Sequence, residues 1–340
     1  HQEGVLAVGT DDGLIQLSRD NGGAWNEIGS FPGVPELSQV MRLVLSIHDS
    51  ETIYAAFSSH ESNDFHPYLL RSSDFGATWT SIANGLPADE PIRAFAEDPE
   101  VPSLLFAGTE FGVYVSFDDG ASWRSLQLDL PVTPVTDLAV TQGDLVVATQ
   151  GRSFWILDDL SVLRQLTPEV AGSPLHLFEP RPAVRWADGS GGSARGAVGA
   201  NPPFGAVIHF LLPDGLDEDD ADEVTLEILD GDDEVLRTLS SKTPEPRAPS
   251  LWRKLMPELA EPALLDHRAG ANRYVWNLRL ADARLVDDAV LWGSASGPRV
   301  PPGAYQARLT VGEWTRTVPF EVVTDPRLDA SQKGMVERFE

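Results

Sequence analysis

One eight-residue pattern, Ser-x-Asp-x-Gly-x-x-Trp, occurs three times in the first 125 residues and constrains this half of the chain more than any other feature. The copies are Ser18, Asp20, Gly22 and Trp25; Ser72, Asp74, Gly76 and Trp79; and Ser116, Asp118, Gly120 and Trp123. Asp bonds its own backbone in a tight turn, and Gly tolerates the positive φ that such a turn requires. The Trp then opens the next strand and is expected to bury its indole between neighbouring sheets. Alternating apolar runs precede each copy, so the repeat predicts a series of small antiparallel sheets, the blades of a β-propeller.

The third copy predicts strands over 92–97, 104–109, 113–117 and 123–128. The first copy matches it from the second strand onward. The second has strands near 41–46 and 52–57, followed by an insertion at 58–67 where the other copies have a short turn. A fourth, degenerate copy runs over 135–166 and has no Trp at the motif position. Three to four blades are too few to close a ring. Completion is therefore expected from upstream blades, another chain or another copy of this one.

The motif resembles the Asp box, or BNR repeat, of sialidases, xyloglucanases, sortilin-type receptors and secreted bacterial proteins. In those families the box is a folding device, so the resemblance implies an architecture rather than an activity. The order of a partial propeller, a Gly-Arg-Ser-x-Trp-x-Leu-Asp-Asp segment at 151–159 and a second β-domain is similar to large sortilin-like bacterial proteins labelled glycosyl hydrolases.

After residue 166 the texture changes. Residues 167–203 are read as linker and loop, with Pro168, Pro174, Pro180 and Pro182 and a Gly/Ser/Ala stretch at 189–200. Strands with clean alternation follow over 204–325 and predict a β-sandwich. Gly270, Asn272 to Asn277 and Pro301-Pro302-Gly303-x-Tyr305 are similar to immunoglobulin-like modules of bacterial surface proteins. The acidic run 217–223 lacks the spacing of a calcium loop and reads as a solvated hairpin tip. A helix is expected over 250–259, and another begins within 326–340. The fold class is thus all-β: a partial Asp-box propeller in 1–166, then an immunoglobulin-like sandwich.

Fifty-two acidic against 25 basic residues give a formal charge of −27, and only Lys242, Lys254 and Lys333 are lysines. Such a surface repels nucleic-acid phosphates and anionic lipid. With no cysteine there is neither a disulfide framework nor a thiolate nucleophile. No run of 18 apolar residues offers a membrane span. A secreted, periplasmic or cell-surface setting is expected, with this sequence an internal or C-terminal piece of a longer protein.

In a four-stranded blade the turn after strand two and the turn after strand four share one face, and the motif turn lies on the other. Asp11, Asp12, His60, Glu61, Asp64, His66, Glu110, Phe111, Gln150 and Arg152 fall on the shared face, and all but Glu61 and Gln150 are the ligand-binding candidates. Asp12, Asp64 and Glu110 could supply the two carboxylates of a glycosidase. Only Arg152 is placed to join an arginine triad, which a sialidase would need. His60, Asp64 and His66 could hold a divalent cation or cap the channel through hydrogen bonds; no organic-cofactor motif accompanies them. The expected function is a non-catalytic binding or assembly module for protein, peptide or glycan, the alternative being a sialidase- or xyloglucanase-like hydrolase.

Overall fold

A computed structural model describes residues 3–187, 199, 201–216, 222–242, 264–283, 296–328 and 334. Among these the chain is all-β and forms two compact units, His1–Thr167 and Pro168–Glu340.

The first unit contains four antiparallel sheets in simple meander order. Sheet one comprises β1 (Leu6–Gly9), β2 (Ile15–Ser18) and β3 (Asn26–Ile28). Sheet two comprises β4 (Gln39–Leu45), β5 (Ile53–Ser59), β6 (Asp64–Ser72) and β7 (Thr80–Ser81). Sheet three has β8 (Ile92–Glu97), β9 (Leu105–Thr109), β10 (Val113–Ser116) and β11 (Arg124–Ser125). Sheet four has β12 (Val135–Thr141), β13 (Asp144–Thr149) and β14 (Phe154–Leu157). Consecutive sheets bury their apolar faces on one another, as propeller blades do. Ile15 and Leu17 pack with Ile53, Ala55 and Trp79; Tyr54 and Leu69 with Leu105, Ala107 and Trp123; Val113 and Val115 with Val135, Leu138 and Val147.

The motif explains each hairpin between strands three and four. The buried Ser18, Ser72 and Ser116 hydroxyls accept the Gly22, Gly76 and Gly120 N–H at 2.9, 2.7 and 2.9 Å. They donate to Asp20, Asp74 and Asp118 at 2.9, 2.8 and 2.8 Å. Each Asp accepts the N–H of the residue four positions on, always at 2.8 Å. The chain turns through two left-handed residues, such as Asp119 (φ 58°) and Gly120 (φ 84°), the second of which glycine adopts without strain.

Three expectations change. Trp79 and Trp123 are buried, whereas Trp25 is 44% exposed, because no sheet within the described residues covers that side of sheet one. The insertion at 58–67 is largely an extension of the β5–β6 hairpin: Ser59 pairs with Asp64 across a 3-10 turn at His60–Ser62. The fourth copy ends after three strands in a short helix, α1 (Ser161–Gln165).

The second unit begins with a short helix, α2 (Pro168–Gly172), and places two sheets around one core. Strands β15 (His176–Leu177), β16 (Ala183–Arg185), β17 (Ala206–Leu212), β18 (Val224–Asp230), β19 (Val235–Ser240), β20 (Gly270–Trp276), β21 (Gly303–Val311) and β22 (Trp314–Thr324) form a sandwich. One sheet runs β15-β17-β20 and the other β16-β22-β21-β18-β19. The segment read as linker therefore supplies two strands, and β16 pairs in parallel with β22. Trp276 is fully buried between Tyr305 and Phe320, with ring centroids 5.5 and 6.1 Å away. The Tyr305 hydroxyl donates to the Pro301 carbonyl at 2.7 Å, tying the start of β21 to the preceding corner. The helix expected over 250–259, most of the acidic run and most of 326–340 lie outside the described residues.

Candidate binding face

Antiparallel order puts the β1–β2, β5–β6, β9–β10 and β13–β14 turns at one end of their sheets, opposite the motif turns. All the candidate residues from Asp11 to Arg152 therefore occupy this end, but local chemistry separates them. Asp12 accepts the Thr10 hydroxyl and so serves its own turn. Gly13 in that turn (φ 90°) lies so close to the next blade that a Cβ would stand 2.7 Å from the Ser38 carbonyl oxygen.

The extended β5–β6 hairpin carries the most developed feature of the face. Asp64 accepts the Tyr68 hydroxyl at 2.7 Å on one oxygen and the His66 Nδ1 at 2.8 Å on the other. The Tyr68 bond, aided by those from His66, holds the Asp64 carboxyl below the usual carboxylate range despite partial burial. Burial first, then the Asp64 bond, pushes the Tyr68 hydroxyl up to about 12. These side chains, with Phe65, Gly33 and Asp89, line a cleft of 660 Å³. Phe65 is 45% exposed at the cleft.

The His60 Nδ1 meets the Ser58 hydroxyl at 3.0 Å. Among the described residues no three His, Asp or Glu side chains are arranged to hold a metal ion. Of the cation candidates His60, Asp64 and His66, the hairpin brings Asp64 and His66 together and bonds His60 to Ser58.

Glu110 also differs from a free carboxylate. Arg93 grips both oxygens, through Nε to one and through Nη2 at 2.8 Å to the other. Beside it, Glu90 accepts the Thr109 hydroxyl at 2.7 Å and the Tyr114 hydroxyl at 3.1 Å. Arg42 pairs with Asp137 at 3.0 Å, linking the first strands of sheets two and four. Phe111 and Arg152 are exposed, and the Arg152 carbonyl accepts the Trp155 indole N–H at 3.0 Å.

A glycosidase acid must hold its proton near neutrality, which requires a raised pKa. Asp64 is shifted the other way. Arg42, Arg93 and Glu90 were missed by sequence reasoning. For Arg42 and Arg93 the available signal was a charged residue interrupting an apolar strand, as in Ile92-Arg93-Ala94-Phe95.

The opposite face carries a second polar group between sheets two and three. Arg71 pairs with Asp119, while the Tyr54 hydroxyl lies 3.3 Å from Asp119 and 3.4 Å from Glu97. Burial, reinforced by both carboxylates, raises the Tyr54 hydroxyl far above its ordinary range. The cleft there measures only 180 Å³. Its polar groups join neighbouring blades.

Fold and face together define an all-β protein of propeller blades and a sandwich. No family model matches the chain. It is 27% identical over 158 residues to a xyloglucanase of Paenibacillus sp., which covers 36% of this chain but only 14% of the relative's length. Similar solved structures include YCF48 bound to D1 peptide, 13% identical with a TM-score of 0.36 over 46% of this chain and 48% of the other. PorZ of Porphyromonas gingivalis is 14% identical with a TM-score of 0.34, over 94% and 45%. The GH74 enzyme of Niastella koreensis is 15% identical with a TM-score of 0.34, over 62% and 26%. These likenesses are partial, and the fold rests on the strand order above. No helix among the described residues is long and apolar enough to cross a membrane.

Proposed function

We infer that this chain is a non-catalytic binding or assembly module of a secreted BNR/Asp-box propeller protein of the sortilin-like kind, recognising a protein, peptide or glycan on its turn-bearing face. The observation that carries this reading is the β5–β6 hairpin, which sets the exposed Phe65 beside an acidic cleft while Asp64 is engaged by Tyr68 and His66. Aromatic surface supplies apolar contact area, and fixed polar groups around it supply orientation. An immunoglobulin-like assignment for the second unit is supported by the β16-β22-β21-β18-β19 order against β15-β17-β20, and by the Tyr305–Pro301 bond, which matches a tyrosine corner.

A glycoside hydrolase is the second reading, favoured by the xyloglucanase relative. The two readings separate in one experiment, in which the chain is screened on peptide and glycan arrays and every ligand found is assayed for turnover. The binding reading expects saturable binding without turnover, abolished by Phe65→Ala. Turnover that falls by about a hundredfold or more in Glu110→Gln or Asp64→Asn would establish the hydrolase instead.

A further inference from the structure

The register of the sheets fixes which residues are equivalent between blades. Leu6, Ile53 and Leu105 each pair with the motif Ser of their own sheet; Val8, Ala55 and Ala107 stand two residues further along the same strand. In sheets two and three these positions and the motif Trp form the face that packs on the preceding sheet, and all are buried. In sheet one the same positions are open: Leu6 is 42%, Val8 47% and Trp25 44% exposed. Moreover, among the described residues β1 is an edge strand, whereas its counterparts β5 and β9 are paired on both sides.

We propose that the Leu6, Val8 and Trp25 face is one half of a blade-to-blade interface, and that its occupant is a further blade of the same repeat. The inference rests on the repeat and is independent of the binding reading above. Trp79 and Trp123 define what the occupant presents. Trp79 lies against Ile15 and Leu17 of sheet one, and Trp123 against Tyr54, Leu69 and Ile82 of sheet two. The occupant is therefore an antiparallel sheet with aliphatic side chains on its third strand, together with an inner strand to pair with β1. Burying three apolar side chains continuously with the existing core provides the driving force. A second copy is the competing occupant, because β14 exposes Phe154 and Ile156 at the positions of the buried Val113 and Val115.

The test supplies such a blade. Residues 39–104 comprise sheet two with its connection, β8 and the turn after it; a duplicate of them is joined directly to Leu6, reproducing the junction that precedes Leu105. Hydroxyl-radical oxidation read by mass spectrometry reports each Trp separately. The proposal expects Trp25 to fall several-fold in reactivity, to the level of Trp123. It also expects Trp25→Ser to destabilise the extended chain strongly and the original chain little. A second graft, residues 92–144 joined to Leu6, guards against misfolding of the first. Trp25 remaining reactive in both extended chains overturns the proposal. Protection of Trp25 in the original chain as its concentration and mass rise together also overturns it, in favour of self-association.

Discussion

Trp25 and Trp123 stand at the same place in the same motif, yet one is 44% exposed and the other 6%. Their turns are built alike, down to the 2.8 Å bond that the N–H of Ala24 or Ser122 donates to Asp20 or Asp118. What differs is the neighbour. Trp123 donates its indole N–H to the Ile82 carbonyl of sheet two at 2.7 Å and packs on Leu69 and Leu86, whereas sheet one has no described sheet on that side. The motif dictates a hairpin, and burial of its Trp is conferred by the preceding blade.

Substitutions at equivalent positions sharpen this contrast. Trp123→Ala removes a buried indole and is expected to cost about 3–5 kcal/mol, against about 1 kcal/mol or less for Trp25→Ala, measured by urea denaturation. Gly120→Ala follows. Its Cβ would stand 2.9 Å from Ile82 side-chain carbons at φ 84°, and an expected cost of about 1–3 kcal/mol reflects strain plus crowding. Gly22→Ala has the same backbone problem but meets nothing closer than Trp25 at 3.4 Å and Leu6 at 3.6 Å, so it is expected to cost less. Equal losses at the two glycines would mean that the turn alone, without the neighbouring blade, sets the energy. In the sandwich, Tyr305→Phe removes the bond to Pro301 and is expected to cost about 1 kcal/mol.

The smallest expected effect is the pH dependence of the motif turns. Backbone bonding from Ala24, then the Ser18 hydroxyl, holds Asp20 below its ordinary value of 3.8; at Asp74 the Thr78 hydroxyl leads. A carboxyl depressed on folding contributes stability above its unfolded pKa and loses it as pH falls through the folded one. The urea midpoint of the first unit is therefore expected to decline below about pH 4. Asn at Asp20 and Asp74 should flatten that decline, and an unchanged profile in the double variant would count against these turns as its source.

Local requirements made part of this fold legible in the sequence. A positive φ, a short acceptor side chain and an apolar alternation are each written within a few residues, which is why the turns and most strands of the first unit follow from the repeat. Distant partners made the rest unreadable. Strand β16 is three residues long and exists through pairing with β22, more than 130 residues later, so it read as linker. The insertion after β5 looked like a loop because its polar residues carry no alternation, although Ser59 and Asp64 pair. The candidate face was legible as a location, since strand order alone gathers Asp12, Asp64 and Glu110 at one end. Their chemistry was not, because Arg93 and Tyr68 decide what Glu110 and Asp64 can do.

The central claim is that one motif builds identical turns whose tryptophans differ because their neighbours differ. Residue-resolved hydroxyl-radical oxidation of the 340-residue chain at low concentration tests it most directly. The account predicts that Trp25 is oxidised several-fold faster than Trp79 and Trp123, which should react alike. Equal protection of all three would contradict it.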